Sequence, residues 1–300
     1  MPSVKALQYA HLHLIVFIWG FTAVLGALIS IEAIPLVWYR MGVASVLMWG
    51  YLLVRRQRLR FGVRTLLAFA VAGLIIALHW ITFFGAVKLA NVSVTLAIMS
   101  TGAFFTAFLE PILFGRKIVA YEVLLGLIVV AGLYLIFDID PAYTTGILMA
   151  LASAFLGALF NVINGKLVQR YQASTISFYE LAFGALFITV FLAVRGELNA
   201  SIFELTSSDA LYLFLLASVC TAYAFIAAVH VMKWLSPYTV SLTINMEPVY
   251  GILLALILLG DNEHMGTQFY IGAGIILLTV LLNGFLKLTK KRKRAGNQPS

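Results

Sequence analysis

Four side chains that carry full charge lie inside long apolar runs of this sequence: Arg40, Glu110, Glu180 and Glu247. A charge at the centre of a membrane span costs about 2.5–3.5 kcal/mol on insertion scales, so each needs a partner, a hydrated cavity or a function. Arg40 offers a planar guanidinium that grips a carboxylate through two parallel N–H donors. A structural ion pair, or a side chain reaching back to the interface, is the competing account. Glu180 holds the related place in another run, and the two opposite charges form a candidate pair of alternating gates. Glu247 is followed by Pro248 and preceded by Thr243 and Asn245, a Thr-x-Asn-x-Glu-Pro stretch that gathers polar groups at one depth. Proline lacks an N–H and clashes with the carbonyl one turn back. Carbonyls freed in this way are tolerated in a membrane only against protein or water. Glu247 is therefore the candidate proton-coupling carboxyl group and Pro248 a candidate gating kink; structural glue between helices is the alternative role. Glu110-Pro111 looks similar but lies beside Arg116 and Lys117, where an interfacial salt bridge is the better reading.

His79 and Trp80 sit in one half of the third apolar run. Ring nitrogens in hydrocarbon need partners, so His79 is a candidate for substrate contact or proton relay, with packing as the alternative. Trp19, Tyr39, Tyr179 and Tyr223 offer flat faces with a polar tip that suit a cavity wall. Aromatic belts at the interfaces compete for the same residues. Asn161, Thr243 and Asn245 complete the candidate substrate-binding set with Arg40, His79, Trp80 and Glu247. No metal or cofactor is expected. His11 and His13 have the wrong spacing for a helical metal pair at i, i+4, and the chain carries no phosphate loop, zinc motif or nucleophile motif. A single cysteine, Cys220, excludes an internal disulfide framework.

The elements that must position these residues follow from composition. The chain is 62% hydrophobic and 11% charged, where a soluble domain carries about 25% charged residues. Mean hydropathy is +1.01, which leaves too little polar material to cover a water-facing surface. Lipid is the solvent that fits. Ten apolar runs, each near the roughly 20 residues needed to cross hydrocarbon, cover about 10–30, 34–54, 65–87, 93–114, 119–137, 144–164, 174–194, 209–231, 238–259 and 267–287. They are about twice the length of a barrel strand and lack its alternation, so the expected fold is an all-α integral membrane protein. The first run lacks a clear cleavage site and is taken as the first span.

The net charge of +8 does not point to nucleic acid, because the basic residues are confined to short links and the C-terminal stretch. One set of links holds Lys5, Arg55, Arg56, Arg58, Arg60, Arg64, Arg116, Lys117, Lys166, Arg170 and Lys233. The other holds Lys88 and Arg195 with most of the acids, among them Glu32, Glu197, Asp209 and Glu263. Lys and Arg accumulate on the cytoplasmic side, which places both termini there, in an inner (plasma) membrane. The basic stretch from Lys287 to Arg294 is expected to fix topology and to attract anionic headgroups.

Phe137-Asp138-Ile139-Asp140-Pro141 divides the chain into halves that echo each other. Val92-Ser93-Val94-Thr95-Leu96 resembles Tyr238-Thr239-Val240-Ser241-Leu242, and Tyr39-Arg40-Met41-Gly42 lies opposite Tyr179-Glu180-Leu181-Ala182. A repeat of five spans must sit upside down relative to its partner. The expected units are thus two inverted five-helix repeats, 1–138 and 142–288, followed by a basic cytoplasmic tail, 289–300. Inverted repeats place a binding site at their interface near the midplane. The expectation is a secondary transporter for a small polar metabolite, working by alternating access and coupled to protons. A channel or a non-transporting membrane scaffold fits the same composition; an integral-membrane enzyme would need converging catalytic groups that the sequence does not offer.

The sequence resembles the drug/metabolite transporter superfamily, and within it the EamA family. The residues that carry the likeness are Trp19-Gly20-Phe21, Arg40, Ala86-Val87-Lys88-Leu89-Ala90, Glu247-Pro248-Val249 and Leu259-Gly260-Asp261. The sequence departs from the family pattern at Gly115-Arg116 and Gly260-Asp261, where the family usually has Gly-Glu, and at Gly102, where it usually has proline. The resemblance implies a transporter, most often an exporter, of amino acids or related metabolites.

Overall fold

The computed structural model describes residues 4–57, 59–115, 120–137, 141–244 and 246–296. Among these residues the fold is all-helical, with no strand. The helices are α1 Val4–Leu28, α2 Ala33–Val54, α3 Val63–Leu89, α4 Val92–Met99, α5 Gly102–Phe114, α6 Ala120–Phe137 and α7 Thr144–Leu167. They continue with α8 Ala173–Val194, α9 Ser207–Ala217, α10 Ala224–Val231, α11 Pro237–Ile244, α12 Glu247–Leu258 and α13 Thr267–Gly296. Seven helical stretches, counting Val92–Phe114 and Ser207–Val231 as one each, are long and apolar enough to cross a membrane. Helices are the economical choice there, because each satisfies its own backbone polar groups without water. Their outer faces carry lines of exposed apolar side chains, such as Leu67, Val71, Leu74 and Leu78 on α3. That spacing of three and four residues marks one helical face, and here the face is turned to lipid.

Three of the apolar runs expected to be continuous are interrupted. The fourth breaks at Ser100–Thr101, between α4 and α5. Ser100 and Thr101 donate their hydroxyls back to the carbonyls of Leu96 (3.4 Å) and Ile98 (2.8 Å), a habit that bends helices. The ninth breaks between Ile244 and Glu247, which leaves Pro248 in the first turn of α12, where its missing N–H does no harm. The eighth is joined by a π-helical segment, Ser218–Tyr223, between α9 and α10. The tenth continues past 287 to Gly296.

Hydrogen bonds gather the links into two sets. On one face Ser30 donates from its N–H (2.7 Å) and its hydroxyl (2.6 Å) to Asp209, and Lys88 donates to the Ile29 carbonyl. Glu263 accepts the first N–H groups of α4, from Val92 and Ser93, where a carboxylate also complements the helix dipole. On the other face Ser174 donates to Gln57, the Thr65 and Tyr171 hydroxyls pair at 3.0 Å, and Tyr179 donates to the Leu59 carbonyl. The first face carries acidic links, and the second carries Arg55, Arg56, Arg60, Arg64 and Arg170.

Close packing of α3 on α8 depends on missing side chains. A Cβ on Gly73 would lie 2.5 Å from the Glu180 carbonyl oxygen, and one on Gly184 would lie 2.9 Å from that of Gly73. Small residues replace the hydrophobic drive that lipid does not supply.

Candidate functional site

The interrupted helices meet around a cavity of about 110 Å³, lined by α1, α2, α3, α4, α5, α7, α10 and the α11–α12 pair. It has room for several ordered waters or a compact metabolite. Its wall is mostly aromatic and aliphatic, with Trp19, Trp80, Phe83, Phe160 and Phe225 around a few polar groups. That mixture is the usual make-up of a small-molecule site.

Arg40 projects from α2 and is 2% exposed. Its Nε donates to Thr221 Oγ1 at 2.7 Å, and its guanidinium carbon stands 3.8 Å from the centroid of a Trp80 ring. Stacking on indole and one hydrogen bond hold the fork in place. Its Nη1 is buried and has no partner. Thr221 reaches this position because it sits in the π-helical segment. Its hydroxyl donates to the Leu216 carbonyl at 2.7 Å while accepting from Arg40. The same segment leaves the Cys220 carbonyl to accept from Trp19 Nε1 at 3.1 Å, so one widened turn fixes two cavity residues.

His79 is held from α7. Its Nδ1 lies 2.8 Å from the Ser153 carbonyl oxygen, and the Ser153 hydroxyl donates to the His79 carbonyl at 2.9 Å. A carbonyl only accepts, so the ring proton belongs on Nδ1 and Nε2 keeps its lone pair. Gly157 makes room for the ring: a Cβ there would lie 3.0 Å from His79 Cε1. Glu247, the first residue of α12, and Asn161 of α7 also line the cavity. Arg40 and Glu247 share that wall, and no direct hydrogen bond joins them. The hydroxyl of Thr22, also on the wall, is buried.

Of the residues expected at a substrate site, the fold brings Trp19, Arg40, His79, Trp80, Asn161 and Glu247 to one cavity. Others lie elsewhere. Tyr39 donates to the Ile202 carbonyl on the acidic face, and Tyr179 stacks on Phe69 near the basic face. Tyr223 is 45% exposed and pairs with His11 at 3.0 Å beside a separate lateral groove. Thr243 spends its hydroxyl on the Thr239 carbonyl. Pro248 is buried in α12. Glu180 is buried against Asn164, away from the cavity. Asn245 lies outside the described residues, as do Arg116 and Lys117, the partners expected for Glu110. Sequence reasoning passed over Thr22, Thr221 and Ser153. A hydroxyl inside an apolar run was the available signal for each. The wall aromatics Phe83, Phe160 and Phe225 carried no such mark in a chain that is 13% aromatic.

A bundle of membrane-length helices, several of them broken around a cavity with a few polar groups on an apolar wall, has the build of a multi-pass membrane transporter. The chain belongs to the EamA-like transporter family, part of the drug/metabolite transporter superfamily; the family model matches residues 9–138 and 144–285. A protein of Archaeoglobus fulgidus described as an uncharacterized transporter is 25% identical over 203 residues, 67% of this chain and 69% of that protein. A protein of Clostridium kluyveri with the same description is 23% identical over 209 residues, 66% of this chain and 65% of that protein. A solved crystal structure aligns with 95% of this chain and 98% of its own, with a TM-score of 0.66 at 18% identity, which supports the fold.

Proposed function

We propose that the protein is a proton-coupled secondary transporter that exports a small metabolite bearing a carboxylate, an amino acid or a close relative, by alternating access. The observation that carries this reading is the cavity itself, where Arg40 presents an unpartnered buried Nη1 and Glu247 shares the wall without pairing to it. A guanidinium with unused donors is suited to a carboxylate, and a carboxyl group elsewhere on the wall is suited to an ammonium group or a proton. The apolar remainder of the wall accommodates a side chain.

Alternating access needs two related halves, and three features support them. The family model matches once in each half. Arg40 and Glu180 are each the eighth residue of a 22-residue helix, α2 and α8. Packing partners also exchange between halves: α3 lies on α7 and α8, as α9 and α10 lie on α1 and α2, and α1 lies on α12 as α7 lies on α5. In this reading the chain has ten spans in two inverted repeats, 1–138 and 142–288, in the inner membrane, with the basic face and the tail 289–300 in the cytoplasm. Glu247 carries the coupled proton, His79 relays it, and Arg40, Glu180 and Pro248 take part in gating.

Uptake into proteoliposomes, with a panel of amino acids and carboxylate metabolites and with or without a pH gradient, tests this. Glu247→Gln is expected to lose gradient-driven accumulation and to keep substrate exchange. Equal accumulation in variant and parent removes the coupling role. No saturable flux for any carboxylate in the panel removes the substrate class.

A further inference from the structure

Outside the cavity, one group of side chains has more polar atoms than partners. Glu180, Asn164 and Ser177 are all 0% exposed. Asn164 Nδ2 donates to Glu180 Oε1 at 2.9 Å, and also lies 3.4 Å from the Phe160 carbonyl. Glu180 Oε2, Asn164 Oδ1 and the Ser177 hydroxyl have no hydrogen-bond partner. Among the described residues no cation compensates the carboxyl group. On the elements that surround α8, Arg40 stands at the cavity, hydrogen-bonded to Thr221 and stacked on Trp80, while His79 contacts Ser153 and Lys88 contacts Ile29. Lys166 donates to the Leu113 carbonyl, His230 lies against Trp234, and Arg64 and Arg170 are exposed. Tyr179, the neighbour of Glu180, donates to Leu59.

A lone carboxylate in such a place carries a desolvation penalty of several kcal/mol. Two of the unsatisfied atoms are acceptors on adjoining groups, so the missing object is a donor. One proton on the carboxyl group supplies it, and exchanging the amide N and O of Asn164 leaves the same requirement. A hard metal cation would take six or more oxygens. The group offers three uncommitted ones, and the cavity does not extend to it. We infer that Glu180 and Asn164 form a proton-binding site, occupied in this conformation, between the cavity and the basic face. Asn161 lines the cavity, Asn164 lies one turn further along α7, and Ser177 lies one turn nearer than Glu180 to the 168–172 link. When the basic face opens and admits water, the Glu180 O–H bond breaks heterolytically, the proton passes to water and a hydrated carboxylate remains. The proton's place follows from the packing alone; its use in transport rests on the reading above.

Infrared spectra of the purified protein in lipid nanodiscs at neutral pH read the proton directly, with no transport assay. A protonated-carboxyl stretch is expected in the parent. In Glu247→Gln, which removes the other carboxyl group assigned a proton, the band should persist, vanish when Glu180→Gln is added and move to higher frequency when Asn164→Leu is added. Its absence from Glu247→Gln, or its persistence once Glu180→Gln is added to that variant, overturns the site. If Glu180→Gln is not recovered folded, the Asn164→Leu shift decides, and an unmoved band overturns the pairing. A melting temperature raised by sodium chloride but not choline chloride, only while Glu180 is present, assigns a metal ion and overturns the proton. Liposomes that transport nothing leave the band untouched, so the two readings fail separately.

Discussion

Arg40 and Glu180 occupy matching positions in α2 and α8, yet their surroundings differ in kind. The cation stands over Trp80 at the wall of a cavity, anchored at Nε, with its Nη1 buried and without a hydrogen-bond partner. The carboxyl group of Glu180 is packed against an amide, on the helix that makes the close α3–α8 contact, and does not line the cavity. A buried group that keeps room next to it can be completed by a molecule. A buried group without room can be completed only by something as small as a proton. The contrast assigns the two charges different ligands at equivalent addresses.

The comparison breaks most severely at Arg40. Arg40→Gln keeps a polar side chain but removes the charged fork, and each lost charge-assisted hydrogen bond is worth about 1.5–3 kcal/mol. Binding of a carboxylate substrate, measured by calorimetry or scintillation proximity, is expected to weaken by at least about 100-fold for two such bonds, while α8 and its proton stay as they were. Unchanged affinity would place the substrate elsewhere. Thr221→Val sharpens the contrast by removing the anchor without altering the volume. One lost hydrogen bond of about 1–2 kcal/mol predicts a roughly tenfold loss of affinity. Thr221→Ser should restore it, as a purely structural defect in the π-helical segment would not allow. Gly157→Ala has the smallest expected effect. The added Cβ crowds the His79 ring by a few tenths of an ångström, so transport is expected to change by only a fewfold. The pH dependence of uptake should shift with it if His79 relays protons, and an unmoved profile argues against the relay.

How far these two sites were legible in the sequence differs as well. Arg40 announced itself as a charge in an apolar run, but its anchor Thr221 is 181 positions away. Nothing in the local pattern revealed that a widened turn would bring the hydroxyl there. Glu180 was equally visible, but its pairing with Asn164, only 16 positions back, joins two different helices, and no local spacing marks it. The helix boundaries followed closely from the apolar runs. The break before Glu247 had Pro248 as a signal, although proline begins the new helix instead of kinking an old one. The break at Ser100–Thr101 had only hydroxyls, which also occur in unbroken helices such as α8.

The widened turn at Ser218–Tyr223 also has a mechanical consequence. It stores one residue of slack in an otherwise regular rod. Taking up that slack would rotate everything beyond it by about 100° and advance it by about 1.5 Å. Phe225, Ala228 and Met232 would swing off the wall they now form, and the grip on the guanidinium would release in the same movement. In this conformation the Thr221 hydroxyl, held between Leu216 and Arg40, opposes that rotation.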